Sequence, residues 1–170
     1  VIVRRLRIDD HQLLRELLAY VNEVQLPGLQ LVPHEGDWRA DIAGGVPLED
    51  RPRPRSFRRL GLPTKRPIWM PPDAALASLN YYPPGGAGIG WHTDSTSIGW
   101  RVYIGRPLEG VPGEFMLPLA TIADEAGFAT AFHVSGQPCS SWHAVRAEGA
   151  RLSVGIKITG DTARVLGLVS

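Results

Sequence analysis

The runs ALASLNYY (75–82), GIGWHTD (88–94), SIGWRVYIG (97–105), GEFMLP (113–118), GFATAFHV (127–134), WHAVRA (142–147) and RLSVGIKI (151–158) decide the fold. Each is short and rich in β-branched or aromatic residues, the composition of a strand. PPGG, RPLEGVPG, SGQP and AEGA separate them, all with turn chemistry. No helix of normal length fits between these runs. A mainly β protein follows, and short strands at this spacing belong to a sandwich, a barrel or a jelly roll.

Upstream the pattern changes. Val1 to Arg7 reads as a short strand. Asp9 or Asp10 then caps a helix with Leu13, Leu14, Leu17, Leu18 and Val21 at helical spacing. Residues 25–50, punctuated by Pro27-Gly28, Pro33 and Gly44-Gly45, predict short strands and loops. The segment RPRPRSFRRLGLPTKR (51–66) carries seven basic residues and no acidic one, and its alternating prolines keep its start extended. A mobile lid, a nucleic-acid contact and a plain solvated loop all suit it.

At 170 residues the chain is one domain by length. Residues 1–74 form the helix and lid region, and residues 75–170 form the core. Its 44% hydrophobic and 21% charged residues are those of a globular protein, with no run of about 18 apolar residues to span a membrane. The N-terminus has no basic and apolar leader pattern, so a cytoplasmic location is expected. Cys139 is the single cysteine, which excludes an internal disulfide and a cysteine-built zinc site. The net charge of +1 names no partner, and the oligomeric state is not encoded in any motif.

The chemistry centres on Trp91-His92-Thr93-Asp94. Two residues apart on a strand, His92 and Asp94 leave the same face. An imidazole and a carboxylate aimed into one space need one more ligand to hold divalent iron facially, with open positions for a substrate and O2. A second His must come from another strand, and His143, in the penultimate run, is one candidate. His133 is the rival, in an apolar run where a structural or surface role is the simpler reading. Further on, Arg151, Ser153, Gly155 and Lys157 share one face of the last run, a guanidinium fork and a hydroxyl suited to gripping a carboxylate bidentately.

The ordered set Asn80-x-Tyr82, His92-x-Asp94, His143 and Arg151-x-Ser153 resembles the Fe(II)/2-oxoglutarate-dependent dioxygenases, and within them the AlkB-like branch. The resemblance runs from about Leu79 to Ile158. It implies a double-stranded β-helix, a jelly roll, with an N-terminal helix and lid loops. It also implies His92, Asp94 and His143 as iron ligands. Arg151 would pair with the distal carboxylate of 2-oxoglutarate, assisted by Ser153 and Tyr82, with Asn80 near the keto-acid end. The implied activity is hydroxylation of a C–H bond with succinate and CO2 as co-products. On an N-alkyl group the resulting alcohol breaks down to an aldehyde, which is dealkylation.

In nucleic-acid demethylases of that branch a second arginine stands six residues after the first; here the position is Lys157. The charge survives but the planar fork does not. A small-molecule or amino-acid-like substrate is therefore favoured over AlkB-like dealkylation of nucleic acid through segment 51–66. A jelly-roll protein that binds metal without turnover is the third reading. Arg101, Lys157 and Trp91 are candidate substrate contacts. Arg101 interrupts an apolar strand at the parity of Gly99 and Tyr103. Facing inward it needs an anionic partner, facing outward it is ordinary surface, and the balance leans outward. Gly85 to Gly90 lacks the Lys-Ser/Thr of a phosphate loop and reads as a turn. Cys139-Ser140-Ser141 beside His143 makes no nucleophile elbow, so a hydrolase is not expected.

Overall fold

The computed structural model describes residues 2–26, 57–92, 98–135 and 142–169. Among these, ten strands form two antiparallel sheets. The expected elements at 27–50, the prolines of 51–56, Asp94 and Cys139-Ser140-Ser141 lie outside the described residues.

Strand β1 (Val3–Arg7) leads through a 3-10 turn (Ile8–Asp10) into helix α1 (Gln12–Glu23). The helix is where the leucine spacing predicts it, with Leu13, Leu14, Leu17 and Val21 buried. The cap differs from expectation. Asp9 and Asp10 belong to the 3-10 turn, and His11 occupies the cap position without a side-chain hydrogen bond. Packing of the leucine stripe therefore holds α1 more than capping does.

Then come β2 (Arg58–Arg59), β3 (Ala74–Tyr82), β4 (Ala87–His92), β5 (Gly99–Pro107), β6 (Glu114–Leu117), β7 (Ala120–Ala123), β8 (Phe128–Val134), β9 (His143–Ala147) and β10 (Arg151–Ile158). A short helix, α2 (Gly160–Val165), follows them. The larger sheet has the order β1-β8-β5-β10-β3-β2 and the smaller the order β4-β9-β6-β7. From β3 onward the antiparallel pairs are nested: β3 with β10, β4 with β9, β5 with β8 and β6 with β7. Additional pairings, β5 with β10, β6 with β9, β1 with β8 and β2 with β3, complete the sheets. The turn at Gly85 and Gly86 carries φ of +96° and +86°, backbone that glycine adopts at little cost, in agreement with the turn reading. Strand β7 was not expected from the sequence; ATIA is only four residues long and is held as the hairpin partner of β6.

Period-two alternation divides the larger sheet into two faces. Leu152, Val154, Ile156 and Ile158 of β10, with Trp100, Val102 and Ile104 of β5 and Ala129 and Ala131 of β8, join the leucines of α1 in the main core. The alternate residues Arg151 and Ser153 of β10, Tyr103 of β5 and Thr130 of β8 line a cavity that also takes Ile89, His92, His143 and Val145 from the smaller sheet. In β3 a bulge opposite Gly155/Ile156 keeps the two faces sorted, so that Leu76 and Leu79 both reach the core while Ser78, Asn80 and Tyr82 line the cavity.

Candidate functional site

Two histidines 51 positions apart in sequence meet across the smaller sheet. His92, the last residue of β4, pairs with His143, the first of β9. Their ring centroids lie 4.1 Å apart with planes inclined at 56°. Regular alternation would put Ile89 and Trp91 on one face and His92 on the other. Between Ile89 and His92 the register shifts by one residue against β9, so His92 returns to the face of Ile89. A bulge is a usual device for re-aiming a side chain next to a site. The same bulge gives His92 its orientation: Nδ1 is 2.8 Å from the carbonyl oxygen of Gly90. With Nδ1–H donating there, Nε2 is the nitrogen that carries the lone pair.

His143 is 3% exposed and enclosed by aromatic rings. Phe115 stacks on it at 5.2 Å and Phe132 tilts against it at 4.8 Å. His133 has the opposite parity in β8. It is half-buried and sits edge-on to Trp100 at 5.3 Å, away from the cavity lining. Among the described residues no group of three His, Cys, Asp or Glu side chains is disposed to hold a metal ion. The expected third ligand, Asp94, is outside them.

Opposite the histidines, the larger sheet contributes a polar wall. Asn80, Tyr82, Arg151 and Ser153 are all buried and line the same cavity. Strand pairing explains this: Arg151 lies across from Tyr82, and Ser153 across from Asn80. The Arg151 guanidinium covers the Tyr82 ring at 5.0 Å, and Phe57 stacks on Tyr82 at 5.5 Å. Burial pushes the Tyr82 phenol up, with Arg151 opposing it, so the hydroxyl stays protonated near neutral pH.

Arg151 departs from expectation in one respect. Its fork already grips Asp124, with Nε donating to Oδ2 at 2.5 Å and Nη2 donating to Oδ1 at 3.0 Å. Burial opposes the charge of Arg151, yet the Asp124 carboxylate more than offsets this and holds its pKa above the ordinary value. Asp124 thus takes the Nε/Nη2 edge; Nη1 is buried and makes no hydrogen bond of normal geometry, although the Tyr82 hydroxyl lies close enough to the guanidinium to favour its charge. Ser78 Oγ and Asn80 Oδ1 are likewise buried and unpartnered. Three unmet polar atoms belong to residues of one cavity, an arrangement that costs free energy unless a ligand or water meets them.

The remaining candidates are distributed differently. Arg101 is 4% exposed, so it is not a surface residue. It faces inward because Trp100 and Val102, on either side of it, belong to the core under α1. Lys157, directly across from Arg101, is half-buried. Neither is in the lining of the histidine cavity. Trp91 is turned to the other face of the smaller sheet by the bulge that turns His92 inward, and packs with Met116, Trp142 and Ala144. Part of the basic segment does reach the site: Phe57 and Arg59 line the cavity, and Arg58–Arg59 extends the larger sheet beside β3.

Sequence reasoning missed Asp124, Ser78, Tyr103, Thr130 and Phe115 as lining residues. Asp124 is 27 positions from Arg151, and nothing local marks it. For Ser78 a signal existed, since it shares strand parity with Asn80 and Tyr82. Comparison with protein-family models, with curated proteins and with solved structures returns no match.

Proposed function

We propose that this protein is an Fe(II)/2-oxoglutarate-dependent dioxygenase that hydroxylates a C–H bond of a small-molecule or amino-acid-like substrate. The observation that carries the reading is the convergence, in one cavity, of the His92–His143 pair with the buried Nη1 of Arg151. The nested pairs β3–β10, β4–β9, β5–β8 and β6–β7 support a jelly roll, since a long antiparallel ribbon rolled into two sheets gives this pairing.

The residues suit the cofactors. Two imidazoles bound cis to one ion through bonds of about 2.1 Å bring their ring centres within about 4–5 Å of each other, and here they are 4.1 Å apart. His92 and His143, with Asp94, would hold the iron, a donor set of imidazole and carboxylate. When bound, iron, 2-oxoglutarate and O2 supply the oxidant that converts C–H to C–OH, with release of succinate and CO2.

The chain's own residues do the positioning. The Gly90 carbonyl fixes the His92 tautomer. Phe115 and Phe132 pack against the His143 ring and hold its orientation. Arg151 Nη1 and the Tyr82 and Ser153 hydroxyls would receive the distal carboxylate, with Asn80 toward the keto-acid end. Asp124 holds the Nε/Nη2 edge of the guanidinium, so a ligand carboxylate would meet Arg151 at its Nη1 end.

A second reading, AlkB-like oxidative dealkylation of nucleic acid, is favoured by Arg58 and Arg59, both exposed, and by the presence of Arg59 in the cavity lining. Phosphate contacts would make single-stranded DNA binding fall steeply with salt; no binding by the intact chain removes that reading.

Anaerobic titration with Fe(II) and then 2-oxoglutarate tests the cofactors directly. The wild type is expected to develop the visible charge-transfer band of the chelate, and His92→Ala and His143→Ala to lose it. His92→Ala and Asp94→Ala are expected to abolish iron-dependent succinate formation. Absence of the band from the wild type, or full activity in His92→Ala, overturns the proposal.

A further inference from the structure

We propose that Asp124 is a positioning residue, which locks one edge of the Arg151 guanidinium so that Nη1 is the nitrogen presented to a ligand carboxylate. The inference rests on reading the cavity as a 2-oxoglutarate site. It adds to that reading a residue outside the motif set.

The ion pair is built into the fold rather than acquired by a surface loop. Asp124 follows β7, and its backbone N–H donates to the Gly113 carbonyl oxygen at 2.8 Å, which ties the carboxylate to the entry of β6. Two glycines clear the space it needs. A Cβ at Gly105 would strike the Asp124 carboxylate, and one at Gly113 would strike Arg151 Cδ and Nε and come within 2.8 Å of Asp124 Oδ2. The side chains of Arg151 and Asp124 are 4% and 10% exposed.

A buried pair of this kind is costly to desolvate and is weak evidence of stabilisation by itself. What it supplies here is direction. Two parallel N–H···O bonds fix the plane of the guanidinium, and its Cζ lies over the Tyr82 ring, 5.0 Å from the centroid. The one nitrogen these contacts leave unmet, Nη1, is in a residue that lines the histidine cavity.

The opposing account makes Asp124 a latch that an incoming carboxylate displaces. Side-chain 15N NMR of the metal-free wild type, titrated with 2-oxoglutarate, separates the two. Positioning predicts that the Arg151 Nε–H resonance keeps its shift and slow exchange while the Nη resonances move. A ligand-induced loss of the Nε signature overturns the proposal in favour of the latch.

Two variants extend the test. Asp124→Asn sets an amide N–H against one of the arginine donors, and Gly113→Ala crowds the same pair with every charge intact. Each is expected to weaken 2-oxoglutarate binding by about ten- to a hundredfold, the scale on which orienting partners of binding groups act, with Fe(II) affinity at the histidines unchanged. Wild-type or tighter binding by the folded variants overturns the role of Asp124. Where a variant fails to fold, the wild-type NMR experiment decides. If the wild type binds no 2-oxoglutarate with or without iron, the reading of the cavity itself falls, a result distinct from intact binding in the variants.

Discussion

The two faces of β10 put opposite demands on one strand. Leu152, Val154, Ile156 and Ile158 are all buried beneath α1 and its leucines. Between them, Arg151 and Ser153 point into the cavity between the sheets, Gly155 gives way to the Tyr103 ring, and Lys157 lies opposite Arg101. One face is apolar and packs against α1 and its neighbours in the main core. The other is polar, and Arg151 Nη1 on this face, with Ser78 Oγ and Asn80 Oδ1 beside it in β3, makes no hydrogen bond of normal geometry. Core packing and the lining of the cavity are thus sorted by residue parity. Such a division lets the cavity keep unmet polar atoms, because the buried apolar side chains opposite, each worth about 1.5–3 kcal/mol, carry the strand.

Substitutions on the two faces should separate accordingly. Ile156→Ala removes a fully buried side chain from the core and is expected to cost about 2–5 kcal/mol, read as a lower denaturation midpoint. Binding of 2-oxoglutarate, the proposed ligand, per folded molecule should not differ from that of the wild type. Gly155→Ala, one residue earlier, acts on the other face. Its new Cβ would meet the Tyr103 ring and come within 2.7 Å of Ser78 Oγ. Overpacking of this sort costs about 1–3 kcal/mol, a smaller loss, but it moves two cavity residues and should weaken ligand binding measured by calorimetry. If Ile156→Ala alters binding as much as Gly155→Ala does, the division by face is wrong.

That division was readable from the alternation in RLSVGIKI, because a regular strand sorts its residues by period two. Where the strand is irregular the reading fails. His92 and Asp94 fall on one face of any regular strand, but nothing in Gly90-Trp91 announces the bulge that carries His92 to the side of Ile89. Arg101 had the right parity with Tyr103. Which parity looked inward depended on where α1 packs, a tertiary fact absent from the strand itself. Asp124 was illegible for a related reason: a contact spanning 27 residues leaves no periodic trace, and the glycines that accommodate it read as ordinary turn and strand glycines.

A polar contact at the rim of the apolar side sharpens the comparison, and its effect is expected to be the smallest. Asp73, just before β3, reaches across to the start of α2. Its Oδ2 accepts from the Thr162 backbone N–H at 2.8 Å, and the Thr162 hydroxyl donates to Oδ1. The carboxylate serves the helix as a cap borrowed from another element, so Asp73→Ala should cost about 1 kcal/mol, reduced by its half-exposed, solvent-screened position. The Thr162 hydrogen bond holds the Asp73 carboxyl below its ordinary value of 3.8. Because the folded value is the lower one, the contribution is fully present above the unfolded value and is lost as pH falls through the folded value. Wild type and Asp73→Ala should therefore differ in stability at neutral pH and converge on acidification below about pH 4. Unlike the Arg151–Asp124 pair, this contact is outside the cavity lining, so ligand binding at neutral pH should not change. A constant difference in stability down to strong acid would show that Asp73 acts through packing rather than through its charge.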